Sequence, residues 1–109
     1  MFGNKTNAIE KAIKKKKVDA LGALADDSDL SISLAAIEGL ASIGTLEASN
    51  FLVTRLNVEN PKVRIAVAKA LGKIANMHTK AFLAAQMNKE TDPEVKEAMR
   101  EAMVNIREY

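Results

Sequence analysis

The chain repeats itself with a period of about 32 residues, and this restricts its fold more than any other feature. In the stretch 60–75, Val63, Ala66, Leu71 and Ile74 occupy the apolar positions. Ile32, Ala35, Leu40 and Ile43 stand one period earlier, and Val95, Ala98, Met103 and Ile106 stand one period later. Inside each unit the apolar residues recur at helical spacing. A helical stripe restated at so long a period marks a protein built from stacked helical repeats. One helix pair cannot bury its apolar face alone, so the pairs must stack into a continuous core.

Cap signals divide the chain into about seven helices. Asn7, with Glu10 three residues later, has the spacing of a capping box and predicts a first helix over 7–17. A second is expected over 17–25, ended by the turn Asp26-Asp27-Ser28-Asp29. The third, over 30–43, precedes Gly44, a good helix-terminating residue. The fourth, over 46–56, buries Ala48, Phe51, Leu52 and Leu56. Asn60-Pro61 and Asp92-Pro93 both read as a cap followed by a first-turn proline, opening helices over 61–75 and 93–107. A sixth helix over 78–88 places Phe82, Leu83 and Met87 where the fourth has Phe51, Leu52 and Leu56. The expectation is a single all-α domain over 1–109. It comprises a divergent pair (1–28), two full repeats (29–59 and 60–91) and a half repeat (92–109).

Composition removes several function classes. With no cysteine, neither disulfides nor thiolate metal sites can form. No apolar run reaches the ~20 residues of a membrane span, and a cytoplasmic location is the default expectation. The net charge of +2 is unevenly spread. Residues 1–17 hold six lysines against Glu10, leaving ten basic and thirteen acidic side chains for the rest.

The stretch from Asn60 through Pro61, Val63, Arg64, Ala66, Ala70, Leu71 and Gly72 to Ile74 resembles a HEAT-like repeat of the short phycobilisome-lyase type. Ile43 to Ala48, ahead of Phe51-Leu52, is similar to the interhelix turn and second helix of that family. The resemblance implies a right-handed α-solenoid of stacked antiparallel helix pairs, used mostly as an interaction module. It implies that Arg64 pairs with an acid of a neighbouring repeat. Two departures are visible: Ser33 stands where an arginine is expected, and Leu30 where a proline is.

Candidate chemistry is sparse. No catalytic residue, cofactor site or metal site is expected. His78 is the single histidine, without an orienting carboxylate nearby in sequence, and reads as an ordinary exposed or capping residue. Asp26, Asp27 and Asp29 lack the twelve-residue pattern and central glycine of a calcium loop. Lys14, Lys15, Lys16 and Lys17 are the sharpest charge feature. They would suit phosphate groups, or simply the C-terminal end of the first helix dipole. Spread around a helical turn, with no aromatic among them, they favour the second role.

The expected function is therefore non-catalytic protein–protein interaction, with a partner helix or peptide lying on the concave face formed by the second, fourth and sixth helices. Asn50, Val53, Thr54, Lys80, Ala81, Ala84 and Ala85 are the candidate contact residues, flanked by Ser49 and Asn57. On the second helix the matching outward positions would be Val18, Asp19, Gly22, Ala23 and Asp26. A homodimer covering Met99, Met103 and Ile106 is a further expectation for the partner. The alternatives are polyanion or nucleic-acid binding through the lysine cluster and, more weakly, a role as accessory subunit of a lyase-like enzyme.

Overall fold

A computed structural model describes residues 2–107. Among them are seven α-helices: α1 (Phe2–Lys14), α2 (Val18–Ala25), α3 (Leu30–Ile43), α4 (Leu46–Val53), α5 (Pro61–Ile74), α6 (Lys80–Lys89) and α7 (Pro93–Asn105). A 3₁₀ turn, Met77–Thr79, precedes α6. No strand occurs among the described residues.

Three helices start on the same device. Asp29, Asn60 and Asp92 each turn a side-chain oxygen back onto the backbone N–H two residues on, at 2.9 Å in all three cases. This satisfies one of the donors that the first helical turn leaves free. Pro61 and Pro93 follow the latter two caps, at a position where a missing N–H costs nothing. α3 ends on Gly44, in the left-handed conformation at φ 66°.

The first helix differs from expectation. It begins at Phe2 rather than Asn7, so Asn7 lies inside it and does not cap it. Nothing between residues 2 and 7 breaks a helix, and Lys5 adds an ion pair to Asp27 at 2.6 Å. The helix also stops at Lys14, short of the expected end at Lys17. Lys16 reverses the chain at φ 54° and Lys17 becomes the N-terminal flank of α2. α4 ends early, at Val53, and continues as turns that bury Leu56.

The helices form two layers. α1, α3, α5 and α7 pack side by side in one, while α2, α4 and α6 cover it from the other side. Leu21, Leu40, Leu52, Leu71, Leu83 and Met99 are fully buried along the seam. The arrangement is an all-α solenoid of antiparallel helix pairs, about 16 Å across its thinnest dimension. Met99 and Ile106 are fully buried inside the chain and offer no surface to a second copy.

Neighbouring helices within each layer approach closely where side chains are small. A Cβ added at Gly72 would lie 2.9 Å from the Cα of Ala102, so α5 and α7 meet nearly backbone to backbone. Between α2 and α4 the ring of Phe51 fills the space over Gly22. Val18, Gly22 and Ser49, expected on the outward face, are therefore buried. α2 and α4 meet where the Phe51 ring covers Gly22, and the buried Ser49 hydroxyl is left without a hydrogen-bond partner.

Candidate functional site

The second layer carries the residues expected to meet a partner. Asn50, Thr54, Ala81 and Ala85 are exposed; Val53, Lys80 and Ala84 are half-buried. Two of them have other tasks. Lys80 donates its ammonium to the Ile106 carbonyl oxygen at 3.0 Å, tying the start of α6 to the end of α7. The Thr54 hydroxyl donates to the Phe51 carbonyl and accepts from Arg55 Nη1 at 2.7 Å.

Sequence reasoning missed the most exposed aromatic of the strip. Phe82 on α6 was expected in the core beside Leu83, but 56% of it is exposed. Its counterpart one repeat earlier, Phe51, explains why. Phe51 lies on Gly22, and the Arg55 guanidinium sits over its outer face, 4.4 Å from the ring centroid. Asp26 holds that guanidinium through two hydrogen bonds of 2.7 and 2.6 Å. The pair is mutually reinforcing: the Arg55 hydrogen bonds keep the Asp26 carboxyl below its ordinary pKa, against the opposing effect of partial burial. At the position matching Arg55, α6 carries Gln86, so Phe82 has no cationic roof. That substitution was the available signal in the sequence. Leu46 and Met77, another matching pair, are also exposed, at the edge where each second helix begins.

The lysines at the α1–α2 turn are only partly brought together. Lys14, Lys15, Lys16 and Lys17 are all exposed. Lys15 and Lys17 join Lys11 around a shallow concavity of about 320 Å³ floored by Ala8, Ala12 and Ala20. Lys14 and Lys16 lie outside that lining. His78 is exposed in the 3₁₀ turn, and its backbone N–H donates to the Asn76 side chain. Among the described residues, no group of three or more His, Cys, Asp or Glu could hold a metal ion. No described helix is long and apolar enough to cross a membrane.

Arg64 is a fastener. Its Nε and Nη2 donate to the two carboxylate oxygens of Glu90 at 2.9 and 3.0 Å, and Nη1 donates to the carbonyls of Val58 and Glu59. Glu90 also accepts from the Asp92 N–H at 3.0 Å. The loop entering α5 and the loop entering α7 are thus joined through one guanidinium. In the preceding unit Ser33 occupies the Arg64 position, and its hydroxyl donates to the Ala25 carbonyl at 2.6 Å. The same loop region is secured there by a shorter reach.

No curated protein matches the chain. The family model for HEAT repeats matches residues 18–104, from the start of α2 almost to the end of α7. With that match covering most of its length and helix pairs stacked at the period its sequence announces, the chain belongs to the HEAT-repeat family.

Proposed function

We propose that this protein is a non-catalytic binding module that takes a partner helix or peptide on the α2/α4/α6 layer, with Phe82 as its anchor. The observation that carries the reading is Phe82, more than half exposed while its counterpart Phe51 is packed and roofed. Exposed aromatic rings flanked by small side chains are the material of binding hot spots. Ala81 and Ala85 beside it let another backbone come close, and Asn50 and Thr54 supply polar edges. HEAT repeats generally serve as protein-interaction scaffolds, which supports the same class of function. The finer resemblance, to the short phycobilisome-lyase type, rests on packing residues such as Val63 and Leu71 and brings no lyase chemistry to the proposal.

The test places a photo-crosslinking phenylalanine analogue at position 82 and, separately, at the exposed Glu10 of α1 on the other layer. Crosslinks to one partner from position 82 only are expected. Phe82→Asp should then weaken that partner's binding roughly thirtyfold, the loss of about 2 kcal/mol typical of an aromatic anchor. Unchanged affinity in Phe82→Asp and in Ala81→Arg with Ala84→Arg would overturn the reading.

Polyanion binding is the second reading, favoured by the grouping of Lys11, Lys15 and Lys17 with no carboxylate lining their concavity. Its measure is salt-dependent retention on a polyanion column, which replacement of Lys14–Lys17 by glutamine should reduce. Equal retention of the variant would remove it.

A further inference from the structure

The other layer has a groove of its own, between α3 and α5, with a cavity volume of about 400 Å³. Leu34 on α3 and Ile65 and Ala66 on α5 line it, all half-buried, so its floor is apolar and reachable. Lys62, Lys69 and Lys73 stand along the α5 wall, exposed and without an ion pair among the described residues. From Lys62 to Lys73 the file runs about 16 Å along one helix face, at the rise of an α-helix. Glu38 is the one acid lining the groove, on the α3 wall, and is likewise exposed and unpaired. The groove lies on the layer of α3 and α5, and Phe82 on α6 of the other layer.

We infer that the α3/α5 groove docks a second partner element: an amphipathic helix with an apolar stripe and acidic residues along one flank. The apolar floor takes the stripe, as in other helix-in-groove complexes. The lysine file takes the acidic flank and sets which way round the helix lies, because Glu38 repels acid on the opposite wall. Phosphate backbones fit less well. They gain nothing from Leu34 and Ile65, and Glu38 opposes them. A second copy of this chain also fits less well. Its nearest acidic face, Glu94, Glu97 and Glu101 on α7, brings only Val104 as an exposed large apolar residue. With Phe82 on one layer and this groove on the other, the protein would join two partners.

The experiment titrates isotope-labelled protein with two short synthetic helical peptides sharing one leucine stripe, one flanked by glutamates and one by lysines. Backbone chemical shifts should move on α3 and α5 with the glutamate peptide, and its affinity should exceed that of the lysine peptide by about tenfold, or ~1.4 kcal/mol. Lys62→Glu with Lys69→Glu and Lys73→Glu alters exposed positions only and should reverse the preference. Leu34→Gln should weaken both peptides. Equal affinity of the two peptides, or shifts confined to α4 and α6, would overturn the proposal. So would a DNA oligomer that binds this face more tightly than the glutamate peptide. A dimer that forms in the unliganded protein and is lost in the lysine variant would overturn it in favour of a second copy.

Discussion

Ala75 holds φ 57° at the end of α5, in the left-handed region that Gly44 occupies at the end of α3 with φ 66°. Both donate their N–H to a carbonyl four residues back, Leu71 in one case and Leu40 in the other. A Cβ in that conformation crowds the following carbonyl, at a cost of about 1–2 kcal/mol. Ala75→Gly should recover part of this, raising stability by about 0.5–1 kcal/mol after the added freedom of the unfolded chain is counted. Denaturant midpoints would register the gain, and a loss would mean that the Ala75 methyl contributes packing that outweighs the strain.

Glu90 makes a second prediction at this scale. Its side chain is 3% exposed. Burial alone would raise its pKa, but the Arg64 guanidinium and the Asp92 N–H outweigh burial and leave it below the ordinary value of 4.5. A carboxyl whose folded pKa is lowered stabilises the fold at pH above the unfolded value and loses that contribution as pH falls through the folded one. Glu90→Gln removes the titration, so its stability should decline less steeply than that of the unsubstituted protein below pH 4.5. Arg64→Ala leaves the carboxylate buried without its partner and should cost about 3 kcal/mol at neutral pH. Thermal unfolding from neutral to acid pH checks both. Parallel curves for Glu90→Gln and the unsubstituted protein would show the ion pair to be energetically idle.

At the scale of the helix, sequence was most readable where an element carries its own stop and start signals. α3, α5 and α7 begin where the turn 26–29, Asn60-Pro61 and Asp92-Pro93 predict, because Asp29, Asn60 and Asp92 supply the donors' partners locally. The capping-box spacing of Asn7 and Glu10 was a false start: a cap residue can sit inside a helix when nothing upstream breaks it. The proposed binding strip was less readable, since exposure depends on neighbours in space. Phe82 shares its repeat position with Phe51, and repeat position alone would bury both. What differs is the roof, Arg55 against Gln86, and the floor provided by Gly22. The α3/α5 groove was invisible in one dimension, because its walls come from segments a full repeat apart. The α5–α7 contact offers a test of the helix-level argument. Alanine is the better helix former by about 1 kcal/mol, yet at Gly72 its Cβ would meet the backbone of Ala102 at 2.9 Å. Overpacking of this kind costs about 1–3 kcal/mol, so Gly72→Ala should destabilise despite its propensity. Gly39→Ala meets only the flexible tip of Ile13 and the Leu21 side chain, and should cost less. The order of the two variants in chemical denaturation decides the point.

For the molecule as a whole, stability in a stacked-repeat protein is a sum of unit and nearest-neighbour terms, and its ends have fewer neighbours. α3 packs on α1, α2, α4 and α5, and α5 packs on α3, α4 and α7. α1 packs mainly on α2 and α3, and buries Ile9, Ala12 and part of Ile13. The Lys5–Asp27 ion pair adds to these contacts, but Lys5 is more than half exposed, and water and salt largely screen such an interaction. The layer geometry then predicts a gradient of opening free energy along the stack. Native-state hydrogen exchange should find the slowest amides in α3 and α5, near the global unfolding limit, and much faster exchange in α1 through local opening. Ile9→Ala should accelerate exchange in α1 without changing α5, because α1 packs mainly on α2 and α3. Ile37→Ala, beneath the centre of the stack, should accelerate exchange everywhere. Uniform protection across α1, α3 and α5 would mean that the protein opens only as one cooperative unit, and that the end helix is held by more than the contacts of its apolar stripe.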